Sequence, residues 1–214
     1  MEQLRYIGLL IAVLASMPAH AQKYFGVSGG FVANVLTGSE IDFQRNLHNN
    51  KMSSRTGPAF SVFVKNEFHH SLYFKYEAAY IRKGNSSPDN SLWTLNIEYI
   101  SVPLKLGFQR NLNKNLKLGI EGGVSFNYAI GHSTDQLASA FSVAANSKVN
   151  KFVISALAGL NAEYRLASRR IIFFNPGWYH DLTPLLSYES GNATYRAAHR
   201  GWMIVAGLLF PVGN

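Results

Sequence analysis

Six histidines lie beyond the first twenty-one residues, and two of them adjoin a residue useful in hydrolysis. They are His48, His69, His70, His132, His180 and His199; His132 precedes Ser133, and His180 precedes Asp181. A lipid hydrolase of the His/Ser/acid type needs a base against its nucleophile and an acid orienting that base. Neighbours on a strand point to opposite faces, so neither dipeptide supplies that contact by itself. Catalysis is not expected. His69-His70 lies in a short turn with no carboxylate or third histidine at a ligand spacing, so no metal is expected there. The chain has no cysteine. That excludes thiolate metal sites, thiol nucleophiles, disulfides and a lipoprotein anchor. No cofactor is expected.

Charged residues at alternate positions offer a second chemistry. Lys75, Glu77, Glu98, Glu121, Glu163 and Arg165 fall on the polar faces of alternating segments, and Lys105 is placed to join them. Such a set could line a charged channel or relay protons. It could equally neutralise itself as the packed filling of a narrow barrel. Buried charges need partners, and an eight-stranded barrel is just wide enough inside for side chains to fill it. The filled interior is the expectation.

The elements that must position these groups alternate with period two, as strands do. From Leu116 to Ile130, one face carries Leu116, Leu118, Ile120, Val124, Phe126, Tyr128 and Ile130. The other carries Lys117, Glu121, Ser125 and Asn127 among small residues. An apolar face against a polar one over that length fits a tilted strand between lipid and lumen. The spacing predicts eight strands, at 23–36, 56–65, 71–82, 93–109, 116–130, 151–166, 170–182 and 201–212. Leu95, Ile97 and Tyr99 are read as outward there, opposite Glu98, with a bulge near Ile100-Ser101 ahead of Pro103. Connections 37–55, 83–92, 131–150 and 183–200 are long, whereas 66–70, 110–115 and 167–169 are short. Strict alternation of this kind predicts an all-β, antiparallel, up-and-down transmembrane barrel with long external loops and short periplasmic turns.

The N-terminal segment agrees. Arg5, the apolar run Tyr6 to Met17, and Pro18-Ala19-His20-Ala21 form the pattern of a secretory signal peptide cleaved before Gln22. Residues 1–21 are therefore expected to be the signal and 22–214 the barrel. The formal net charge of +8 is dispersed, with no basic block of a nucleic-acid arm, so no nucleic acid is expected as a partner. Outer-membrane lipid is. Aromatics near strand ends (Tyr24, Phe25, Phe68, Tyr80, Trp93, Phe108, Trp178, Tyr179 and Trp202) are read as girdles at the two interfaces.

Two further groups are candidates for binding. Arg45, His48, Lys51 and Arg55 lie in the first long loop among several asparagines, a composition suited to acidic or sugar ligands. Arg110, Lys114, Arg169 and Arg170 lie in or beside short turns, where they could meet anionic headgroups or a periplasmic protein.

The chain resembles the PorT-like outer-membrane β-barrel family across nearly all of residues 22–214. The resemblance rests on Gly57-Pro58-Ala59-Phe60-Ser61-Val62-Phe63, on Leu72 to Gly84, on Leu95 to Phe108, on Gly119 to Tyr128, and on Ala158 to Tyr164. It implies the fold, the outer-membrane address and assembly by the barrel-assembly machinery. The namesake's part in protein secretion belongs to one branch and is not carried over. Phe210 is followed by Pro211-Val212-Gly213-Asn214, which departs from the usual terminal aromatic. Three function classes follow: a structural or interaction protein binding through its loops, with accessory roles in secretion included; a small pore or carrier; and a membrane-embedded lipid hydrolase.

Overall fold

Segments of alternating polarity broken by short turns satisfy their backbone groups by pairing sideways, and only a closed ladder does so completely in lipid. A computed structural model describes residues 22–39, 53–68, 71–86, 94–135, 148–190 and 193–212. Its strands are β1 (Gln22–Thr37), β2 (Ser53–Glu67), β3 (Leu72–Ser86), β4 (Thr94–Asn111), β5 (Leu116–Asp135), β6 (Lys148–Val149), β7 (Phe152–Arg165), β8 (Ile171–Asp181), β9 (Leu186–Ser190) and β10 (Ala193–Val212). The eight long strands pair in the order β1-β2-β3-β4-β5-β7-β8-β10, all antiparallel, and β1 pairs with β10 from Lys23↔Val212 to Thr37↔Ala198. This is a closed eight-stranded barrel without a free edge, as the alternation predicts.

The outward row of β5 is apolar from Leu118 to Ile130. Thirteen residues at about 3.4 Å each, tilted by about 40°, rise roughly 30 Å, the thickness of a bilayer core. Leu118, Ile120, Val124, Tyr128 and Ile130 are exposed there, while Glu121, Ser125 and Asn127 are buried inside. The last strand is apolar on both rows, and the structure separates them. Trp202 faces out, 60% exposed, while Val205 and Leu209 are buried in the lumen.

Three expectations are corrected. On the external side β1, β2, β3, β5 and β10 run further than the pattern suggests. Connection 183–200 contains β9 and the first residues of β10, which pair as a hairpin from Ala193↔Ser190 to Ala197↔Leu186, and β6 adds to β9. Within β4, the alternation does not slip at Ile100-Ser101. Ile97, Tyr99 and Ser101 are all buried inside, so Ile97 and Tyr99 face the lumen rather than lipid. The irregularity lies instead between Glu98 and Tyr99, opposite Gly131 and Ala129 of β5, where Ile130 is the extra residue.

The periplasmic turns are tight. In the β4–β5 turn, Asn113 Oδ1 accepts from the backbone N–H groups of Asn115 and Leu116 at 2.9 and 2.8 Å. The β7–β8 turn carries Arg169 at φ 63°, a left-handed conformation rare outside glycine.

Candidate functional site

The lumen is filled, and its filling begins from glycine. Gly107 lies opposite Tyr73 and Gly26 opposite Phe63, in each case an inward glycine facing an inward aromatic. A Cβ at either glycine would overlap the ring opposite. The rings lie flat over the bare backbone and bring polar side chains of neighbouring strands together.

Lys65, Lys75 and Lys105 lie opposite one another in turn across β2, β3 and β4, all inward. Like charges so placed repel, and carboxylates from the same and facing strands outweigh that repulsion. In the middle of the barrel, Lys75 Nζ lies 3.3 Å from Glu77 and 3.1 Å from Glu121, and Lys105 Nζ lies 2.9 and 3.0 Å from the same two residues. Tyr73 donates its hydroxyl to Glu121 at 2.8 Å. Nearer the periplasm, Lys65 donates to Glu67, Gln109 and Glu163 at 2.8, 2.8 and 2.6 Å, and Lys117 lies 3.0 Å from Glu67. The Tyr73 ring sits 4.3 Å from the Lys65 ammonium, so Tyr73 joins the two layers.

A third layer lies towards the external end. Lys83 donates to Asp181 at 2.9 Å and sits over the rings of Tyr179 and Tyr99 at 4.3 and 5.3 Å. Ser155 donates to the same carboxylate at 2.6 Å. His199 contributes its backbone N–H at 3.2 Å, with its ring Nδ1 at 3.3 Å. Beside this layer, Asn127 receives hydroxyl donation from Ser101 and Ser125 and donates to Ser155 and to the Val153 carbonyl.

Counted by layer, the charges cancel. Lys75 and Lys105 face Glu77 and Glu121; Lys65 and Lys117 face Glu67 and Glu163; Lys83 faces Asp181. Desolvating five ammonium groups and five carboxylates is costly, and it persists only because each has a partner in contact. An apolar cluster that includes Val32, Phe63, Ile81, Phe173 and Leu209 packs around these layers.

Of the residues expected inside, Lys75, Glu77, Lys105, Glu121 and Glu163 are there. Glu98 is not. It lies opposite Arg82 on the outer wall and accepts the Tyr80 hydroxyl. The β4 parity puts it on the lipid side, because Ile97 and Tyr99 take the lumen. Arg165 is exposed at the periplasmic mouth, beside a cavity of about 420 Å³ that reaches the lowest charged layer and is lined by Gln22, Glu67, Lys114, Lys117 and Arg165 among others. Sequence reasoning missed Lys65, Glu67, Lys83, Gln109, Asp181 and His199 as members. Lys65 is the last residue of its expected strand, and Glu67 and Lys83 continue the inward parity by two and one positions beyond the expected ends, which was the available signal.

The histidine chemistry is also rearranged. Asp181 is served by His199, and not by its sequence neighbour His180, which stacks on Trp178 on the outer wall at 5.8 Å. Ser155, His199 and Asp181 converge, but the serine bonds the acid rather than the imidazole, the reverse of the order acyl transfer requires. His132 is exposed on β5. His48, His69 and His70 lie outside the described residues, as do Arg45 and Lys51. Arg55 falls within β2 rather than in a loop, opposite Asn34, whose Nδ2 donates to its carbonyl at 3.2 Å.

Around the wall, Phe25, Phe68, Phe108, Trp178 and Trp202 are exposed, as girdles require. Tyr24 and Tyr179 are instead buried in the lumen, a correction with the same cause as Ile97. Trp93 lies outside the described residues. Arg110 is exposed near the periplasmic end, and the Arg170 guanidinium lies 5.9 Å from the Phe210 ring.

The profile of the family described as outer membrane protein beta-barrel domain matches residues 20–187, more than three quarters of the chain. Among solved structures, the outer membrane protein OprG from Pseudomonas aeruginosa is similar, with a TM-score of 0.52 at 11% identity, over 91% of this chain and 98% of that one. Neisserial surface protein A gives a TM-score of 0.48 at 13% identity, over 88% and 97%. No curated protein sequence matches significantly.

Proposed function

Because the chain belongs to the outer membrane protein beta-barrel domain family, we propose that this outer-membrane barrel acts as a sealed scaffold that binds at its ends. The observation that supports this most is the filled lumen, in which five lysines and five carboxylates are mutually paired across three levels. A pore or carrier needs a continuous wet path, and paired long side chains occupy that path. Ser155, His199 and Asp181 lie buried within the plug, remote from any lipid substrate. Binding then falls to the external loops, including the segment with Arg45, His48 and Lys51, and to the periplasmic turns with Arg110, Lys114, Arg169 and Arg170. An accessory role in secretion, one of the classes the sequence leaves open, would use the periplasmic end. Export is by the signal peptide, with cleavage before Gln22.

Crosslinking in intact cells tests which end works. Segments 40–52 and 136–147 are shortened in turn, which should leave the barrel folded because loop closure depends weakly on length. Loss of a crosslinked partner on one shortening supports the surface reading. If both keep their partners while Arg110→Glu with Lys114→Glu loses them, the working end is periplasmic and the surface reading is dropped.

A further inference from the structure

The outer wall carries a second constellation, independent of what the ends bind. Arg200 of β10 and His180 of β8 are directly opposite in register, and Trp202 and Trp178 are directly opposite one step towards the bilayer. All four lie on the outward rows, since Tyr179, Asp181 and His199 between them are buried inside. The two indoles are 60% and 38% exposed. Their lateral neighbours are small: Ala33 lies opposite Trp202 on β1, and Ala158 opposite Trp178 on β7. The indoles therefore stand proud of the wall with room for an acyl chain on either side. Arg196 is exposed further out on the same row as Arg200. Neither arginine has an ion-pair partner among the described residues; the His180 Nδ1 is covered by the protein and has no hydrogen-bond partner among them, leaving the arginines as the exposed cations of the row.

Unpaired cations directly above exposed indoles at a membrane boundary match a lipid that has an anionic head above its chains. The face lies on the side of the long loops, so the lipid belongs to the external leaflet. We propose that Arg196, Arg200, His180, Trp178 and Trp202 form a binding site for a phosphorylated lipid of the external leaflet, with the arginines on the phosphate and the indoles along the chains.

The test uses the purified barrel in detergent micelles with diphosphoryl lipid A as the probe, and the same lipid stripped of phosphate as its control. Bound lipid is counted by native mass spectrometry. Wild type should retain the phosphorylated probe roughly tenfold better than the stripped one. Arg196→Gln with Arg200→Gln should remove that preference, whereas Lys23→Gln, at an exposed lysine of the opposite rim, should leave it. Should the first pair fold poorly on an unheated gel, Arg200→Gln alone is compared with Arg200→Lys, and the lysine variant should retain more. No preference in wild type, equal loss in Lys23→Gln and the arginine pair, or equal retention by the two Arg200 variants overturns the site. Stripping of the bound probe by excess inorganic phosphate would reassign the site to a free anion and overturn the lipid.

Discussion

Lys75 and Lys105 lie directly opposite one another on the inward face of β3 and β4, and both ammonium groups reach the same two carboxylates, Glu77 and Glu121. Two like charges are held side by side by a shared pair of opposite ones. No member of this square can be removed without leaving an imbalance in a desolvated site.

Glu121→Gln should therefore be damaging. It leaves two ammonium groups on one carboxylate, and breaking a buried pair in this way costs about 3–5 kcal/mol. Urea unfolding of the barrel in micelles should show a markedly lower midpoint. Adding Lys105→Met should recover part of the loss, since contacting residues are not additive. Equal midpoints for wild type and Glu121→Gln would mean the square is not formed.

The lipid-facing row of β5 gives a different expectation. Val124→Arg places a charge against the bilayer interior, at about 2–4 kcal/mol near the midplane. Folding yield into vesicles should fall. If Val124→Arg folds as well as wild type while Ser125→Arg, its inward neighbour, does not, the two faces have been exchanged.

Gly107 tests the aromatic packing. A methyl group there meets the Tyr73 ring, and overpacking of this kind costs about 1–3 kcal/mol. Gly122→Ala meets nothing closer than 3.5 Å and should be nearly neutral. Thermal loss of the compact gel band should move to lower temperature for Gly107→Ala alone.

Maturation is checked by intact mass spectrometry of outer-membrane fractions. The expected N-terminus is Gln22. Protein starting at Met1 in that fraction would contradict export by a cleaved signal.

Much of the fold was legible in the sequence because polarity and wall position coincide over most of the barrel. In β5, apolar means lipid and polar means lumen, and the structure agrees residue by residue. The coincidence fails where the lumen is itself apolar. Tyr24, Tyr99 and Tyr179 pack inside against lysine ammonium groups, and Ile97 lies inside opposite Lys83, so their hydrophobicity pointed the wrong way. Glu98 was misplaced for the same reason. The Asp181–His199 contact spans eighteen residues that read as a loop. Only the continuation of β10 past Gly201 brings the two together, and its Ala and Arg residues carry little strand signal.

The central claim is that the lumen is sealed, and planar-bilayer recording of the purified wild-type barrel tests it most directly. The paired layers predict no stepwise conductance above that of the bare bilayer. Steady single-channel steps in wild type, altered in size by Lys75→Ser or Glu77→Ser, would show that ions pass through the middle layer and would contradict the account.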